Sequence, residues 1–114
     1  MKITLHIQDM SEPLPVPPGR QLVIGRQATA PLRMGPDIDL TACGAHGKGV
    51  AVRHAVLQVD YAGVAIVDLG SPSQTFVNGR IVPPGRVQPL QDRDEIRLGN
   101  LTMRIRIEKE RAEG

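Results

Sequence analysis

Aromatic residues are nearly missing from this chain: one Tyr, one Phe and no Trp in 114 residues. The core must therefore come from Val, Ile, Leu, Met and Ala, and where β-branched residues dominate such a core favours strands. Aromatic platforms on which nucleic-acid bases could stack are missing with them. Cysteine is almost absent as well. The single Cys43 excludes an intrachain disulfide, and Met1 leads straight into Lys2-Ile3-Thr4-Leu5 rather than a basic head and apolar run, so a cytoplasmic location is expected. No apolar window approaches the ~20 residues a membrane-crossing helix needs, which excludes membrane insertion by that route. The chain also lacks a charge excess: a net +2 at pH 7 neither selects nor excludes an anionic partner.

Turn formers are plentiful, with 12 Gly and 10 Pro. Residues 1–8 alternate, Ile3, Leu5 and Ile7 against Lys2, Thr4, His6 and Gln8, the period of a half-buried strand. Leu101, Met103, Ile105 and Ile107 alternate in the same way with Thr102, Arg104, Arg106 and Glu108. The two ends of the chain are therefore expected to share a sheet. Between them lie short apolar runs at 21–25, 54–59, 63–69, 75–77 and 95–98, bounded by turn residues, which is the spacing of an all-β sandwich. Asp60-Tyr61-Ala62-Gly63 reads as a hairpin loop and Asn78-Gly79 as a tight turn that accepts positive φ. Residues 11–19, with four prolines, read as an extended surface loop, and 41–49 as a glycine-rich one. Nothing longer than a turn reads as helix. A single domain over residues 1–107 follows, with a charged tail at 108–114.

Four blocks in order carry a resemblance. They are Leu22-Val23-Ile24-Gly25-Arg26, then Ala51-Val52-Arg53-His54, then residues 68–79 from Asp68-Leu69-Gly70-Ser71 to Val77-Asn78-Gly79, and finally Leu90-Gln91-Asp92-Arg93-Asp94-Glu95-Ile96-Arg97-Leu98-Gly99. Together they resemble the forkhead-associated (FHA) domain family, which binds phosphothreonine peptides. The resemblance implies an all-β, FHA-like β-sandwich of two packed antiparallel sheets. It implies a non-enzymatic protein-interaction module with no cofactor, metal or small-molecule substrate. Its partner would be a phosphothreonine-containing protein, a Ser/Thr kinase or a kinase substrate.

By that resemblance Arg26 is the lead phosphate ligand, a planar fork of donors matched to phosphate oxygens. The binding face would hold Arg26, Lys48, Arg53, Ser71, Ser73, Gln74 and Asn78, while Gly25, His54 and Gly79 support the loops. The chain also departs from the pattern. Where the family has Ser-Arg-x-His it has Ala51-Val52-Arg53-His54, where the family has Asn-Gly it has Ser73-Gln74, and Arg93 replaces a Gly. Ser73 lacks the two-ended amide, and Gln74 lacks glycine's freedom at positive φ, so a reshaped loop is expected. Losing two charge-assisted hydrogen bonds, at about 1.5–3 kcal/mol each, weakens binding about a hundredfold or more. The functional expectation is thus weak phosphopeptide recognition, with phosphate-independent assembly through the same loops as the alternative.

Three other constellations occur in the sequence. Ser71, His54 and Asp68 are the residue types of a hydrolase triad, but no strand-to-helix nucleophile elbow accompanies them. Cys43 and His46 are spaced like metal ligands, with His6 and His54 as completions, yet a structural zinc site normally shows two such pairs. Arg86, Arg93, Arg97, Arg104 and Arg106 suggest nucleic acid, but acids are interleaved with them. All three are set aside.

Overall fold

The computed structural model describes residues 1–28 and 35–109. Among these, the strands are β1 (Lys2–Ile7), β2 (Leu14–Pro15), β3 (Gln21–Gly25), β4 (Ile38–Asp39), β5 (Ala55–Asp60), β6 (Gly63–Asp68), β7 (Thr75–Val77), β8 (Arg80–Ile81), β9 (Val87–Leu90), β10 (Glu95–Leu98) and β11 (Leu101–Glu108). They form two sheets, one in the order β2-β1-β11-β10-β7-β8 and the other β4-β3-β5-β6-β9. The sheets pack face to face on their apolar sides, and pairing is antiparallel except where the two-residue β4 runs parallel to β3.

The two ends of the chain do share a sheet. Leu5 faces Ile105 and Ile7 faces Met103 across β1 and β11, and all four are buried. β11 runs to Glu108, which pairs with Lys2, so the strand extends one residue past the expected boundary; of the charged tail, residues 110–114 lie outside the described part. Leu22 and Ile24 of β3, Leu57 of β5 and Ile66 of β6 supply the opposite face. The core is aliphatic throughout. Tyr61 sits on the tip of the β5–β6 hairpin, 98% exposed, and Phe76 lies on an outer face with the Arg97 guanidinium 3.9 Å above its ring.

The proline-rich segment is mostly extended, as expected, but Leu14–Pro15 adds a short edge strand to β1. Proline donates no hydrogen bond, which suits it to an edge. The glycine-rich segment is not loose. Thr41–Cys43 and His46–Lys48 each form one turn of 3₁₀ helix, ended by Gly44 and Gly49 at φ 76° and 82°. Ala45 and Val50 are buried beneath it. Asn78 and Gly79, at φ 51° and 81°, make the two-residue turn between β7 and β8, the geometry that a right-twisted hairpin prefers.

Candidate functional site

β3, β5, β6 and β7 all end or begin at one end of the sandwich, and this topology brings three connections together there: 40–54, 69–74, and the Gly99-Asn100 turn between β10 and β11. Backbone bonds stitch them. Asn100 N–H donates to the Lys48 carbonyl at 2.8 Å, Gly99 N–H to that of Gln74 at 3.0 Å, and His54 N–H to that of Ile24 at 3.0 Å. Gly25 must be glycine for a steric reason, since a Cβ there would stand 2.1 Å from the Val52 carbonyl oxygen. The same holds at Gly99, where a Cβ would stand 2.6 Å from the Lys48 oxygen.

The loop between β6 and β7 is built around one carboxylate. Asp68 is buried and accepts from Gly70 N–H (2.9 Å), Ser71 N–H (3.1 Å), Ser71 Oγ (2.5 Å) and Thr75 Oγ1 (2.6 Å). Burial alone would raise its pKa, but the bonds from Ser71, Thr75 and the two backbone N–H groups outweigh it and hold the carboxyl below its ordinary range. His54, fully buried, joins this loop to the preceding one. Its Nδ1 accepts from Ala51 N–H at 3.0 Å, which places the proton on Nε2, and Nε2 donates to the Gln74 carbonyl at 3.0 Å. Desolvation pulls the imidazole pKa below its usual value, against the opposing pull of the Gln74 bond and of Asp68, whose Oδ1 is 4.0 Å from Nε2. His54 is a neutral brace. The triad types therefore form no relay, because Ser71 Oγ donates to Asp68 and His54 donates to a backbone carbonyl.

Of the residues expected on the binding face, Arg26, Lys48, Arg53, Ser73 and Gln74 are brought together at this end. The Arg26 guanidinium is anchored by Nε to the Val50 carbonyl (2.7 Å) and by one Nη1 hydrogen to that of Gln27 (3.1 Å). Three of its five N–H donors remain without an acceptor among the described residues. Lys48 is half-buried and Arg53 exposed, and neither side chain has a hydrogen bond or ion pair among the described residues. Ser73 Oγ bonds the Gly49 carbonyl, so it bolts the two loops together instead of facing outward.

Two assignments need correction. Ser71 is buried at 8% exposure with its hydroxyl given to Asp68, so it frames the loop rather than meeting a ligand. Asn78 lies at the far end of β7, where its amide donates to Asp94 Oδ1 (2.9 Å) and its carbonyl accepts from Glu95 N–H (2.9 Å). The expected reshaping of the loop by Gln74 also fails. Gln74 takes φ 72° itself, and its N–H donates to the Ser71 carbonyl at 3.2 Å. Arg93 likewise keeps φ 75° where a Gly was expected.

Some contributors escaped the sequence reading. The Val50 carbonyl aims Arg26, and only its neighbour Gly49, at positive φ, hinted at a special backbone there. Asp39 and Thr41 brace the segment after Arg26, with Thr41 Oγ1 accepting from Gln27 N–H at 2.8 Å. Gly99 closes the fourth sequence block, and that ending was the available signal for the stitching turn.

The remaining constellations lie apart. Among the described residues no three His, Cys, Asp or Glu side chains are grouped to hold a metal ion. Burial, with Asp39 nearby, pushes the Cys43 thiol pKa up. Arg104 donates to the Arg93 carbonyl (2.6 Å), and Arg106 pairs with Asp92 at 3.1 Å, both on the outer face of the six-stranded sheet. No helix among the described residues is long and apolar enough to cross a membrane.

A two-sheet sandwich that gathers stitched loops at one end is the class of fold the described residues define. The FHA domain family model matches residues 22–99, and the chain belongs to that family. Solved structures agree. One, from a structural and functional analysis of phosphothreonine-dependent FHA domain interactions, is 26% identical with a TM-score of 0.72, covering 96% of this chain and 99% of its own. The FhaA FHA domain, complexed with the intracellular domain of Rv3910, is 28% identical with a TM-score of 0.68, covering 91% and 99%. Mycobacterium tuberculosis EmbR, in complex with a low-affinity phosphopeptide, shares the fold at 22% identity and a TM-score of 0.71, covering 97% of this chain and 26% of its own. No curated protein matches the chain at significant similarity. FHA domains are interaction modules, and relatives of this one bind phosphopeptides.

Proposed function

We propose that this FHA domain binds phosphothreonine-containing partner proteins, weakly, through Arg26, Lys48 and Arg53. One observation carries the reading: Arg26 is held at the mouth of the loops by Val50, and three of its N–H donors have no acceptor among the described residues. The setting supports it, since residues 40–54 and 69–74 carry His46, Lys48 and Arg53 beside the buried His54 and no acid, and the nearby Asp39 is taken up by bonds from Thr41 and Gln27. A phosphothreonine brings about −1.5 to −2 charge and three acceptor oxygens to such a site. Weakness follows from what is missing. Ala51 has no hydroxyl, Val52 no guanidinium, and the Ser73 hydroxyl is bonded to Gly49. At about 1.5–3 kcal/mol per charge-assisted bond, two absent contacts move a micromolar site to roughly 100 μM or beyond.

A second reading has its own support. Because Ser71 and Ser73 are bonded within the domain, the loop end is a braced surface suited to phosphate-independent assembly. A pull-down from lysate with and without phosphatase separates the two. Partners lost after phosphatase treatment support phosphate recognition; partners retained support assembly.

A further inference from the structure

We propose that the domain grips its partner at two adjoining places: the phosphothreonine at the loop end, and an apolar segment of the same partner chain on the outer face of the five-stranded sheet. The inference rests on the reading of the loop end as a phosphothreonine site and adds a second contact to it. The register sets Val23, Val56, Val67 and Val87 side by side across β3, β5, β6 and β9. Their chain neighbours Leu22, Ile24, Leu57 and Ile66 are buried in the core, so strand alternation turns the valines outward. Val87 is 53% exposed, and the other three keep partial exposure. The next outward row is Gln21, Gln58, Ala65 and Pro89, so neither row carries a charge. A sheet face that meets only water is normally polar, and the opposite face of this sandwich is: His6, Arg104 and Glu95 share one row there, and Thr4 and Arg106 the next. The valine face has the composition of a contact surface.

This face begins at the loop end. Arg26 follows β3 directly and stands three residues, or about 10 Å, from Val23. Leu69, 43% exposed, carries the alternation of Ala65 and Val67 into the 69–74 loop, and its N–H bonds the His54 carbonyl. The Val52 carbonyl lies over Gly25, two residues from Val23, so the loop holding Ala51 and Val52 borders the row. Size selects the occupant. Four strands by three outward rows cover roughly 400 Å², about half of the ~800 Å² per partner that a stable dimer buries. A short extended segment fits, and at about 3.4 Å per residue it meets the row about three to five residues from the phosphothreonine.

The test is a chemical-shift titration of the labelled domain with phosphothreonine peptides that carry, about three to five residues before or after the phosphothreonine, either a Leu-Val-Leu run or a Ser-Gly-Ser control. Every phosphothreonine peptide is expected to shift amides in 48–53 and 73–74. On one side of the phosphothreonine the apolar run should also shift Val23, Val56 and Val67 and tighten binding about fivefold over its control. The double variant Val56→Thr with Val67→Thr, which keeps β-branched side chains on the strands, should lose that gain and bind the control as before. Loop amides that move without the valine amides, or a gain that survives the double variant, would overturn the inference and leave the phosphothreonine site standing. Valine amides that already shift on dilution of the free domain, with a dimer in sedimentation, would overturn it in favour of a second copy. Loop amides unmoved by any phosphothreonine peptide would overturn the phosphothreonine reading on which it rests.

Discussion

Replacing Asp68 with its isosteric amide is the sharpest perturbation of the loop frame, because this one carboxylate accepts four hydrogen bonds from residues 70–75. Asparagine keeps one acceptor oxygen and turns the other end into a donor. With the oxygen toward Ser71 Oγ and Thr75 Oγ1, the amide NH₂ confronts the N–H groups of Gly70 and Ser71; flipped, it donates to the two hydroxyl oxygens, and the hydroxyl hydrogens lose the carboxylate they were given to. Either way two donors lose their acceptor in a buried site. An orphaned buried donor costs about 1–3 kcal/mol, so Asp68→Asn should destabilise the domain by about 4 kcal/mol. Against a total of about 5–15 kcal/mol that is a large fraction. Urea unfolding followed by far-ultraviolet circular dichroism reads it directly, as a midpoint about 2 M lower with an unchanged slope. The depressed carboxyl pKa adds a pH signature. Its stabilisation is present above about pH 3.9, the unfolded value, and is lost as pH falls through the lower folded value, so the gap between wild type and variant should narrow in acid. A loss under about 1 kcal/mol at neutral pH would refute the role of Asp68 as hub.

Other substitutions probe other joints. Gly25→Ala should cost about 3 kcal/mol in the same unfolding assay, because its Cβ would stand 2.1 Å from the Val52 oxygen; a neutral effect would mean that the end of β3 and the loop at Val52 are not in close approach. Gln74→Gly and Arg93→Gly relieve left-handed backbone at φ 72° and 75° and should each raise thermal stability by about 1 kcal/mol, so a loss at either site would contradict the assigned conformation. Burial depresses the His54 pKa, so its contribution is complete above about pH 6.5, the unfolded value, and is lost as pH falls toward the folded value. Stability should therefore drop by up to about 1.4 kcal/mol per pH unit below 6.5, and a His54→Gln variant should lack that drop; equal slopes in both proteins would exclude His54 as its source.

Much of the scaffold was legible because periodicity and turn chemistry are local. The alternation of Ile3, Leu5 and Ile7 and of Leu101, Met103 and Ile105 needs no partner to be read, and Asn78-Gly79 announces its own turn. The two-residue strands β2, β4 and β8 are too short to show a period, and β9 carries Pro89 at a sheet edge, where the pattern argues against a strand. The site was legible in part. Arg26 lies at the loop end and His54 braces the loops, whereas Ser71 and Asn78 make their bonds inside the domain, and a hydroxyl or amide looks the same in sequence whether it meets a partner or its own chain. Gln74 and Arg93 show a further limit. Substituting a glycine at positive φ suggests a changed loop, but three hydrogen bonds to the Gln74 backbone and two to that of Arg93 hold an ordinary residue there at a cost of about 1–2 kcal/mol.

Arg26 is where the functional account stands or falls, and isothermal titration of the wild-type domain and its Arg26→Ala variant with a phosphothreonine peptide library tests it most directly. Saturable binding at roughly 100 μM or weaker, absent with the threonine peptides and lost in the variant, is the predicted result. Micromolar binding by the wild type, or phosphopeptide binding that survives the loss of Arg26, would contradict it.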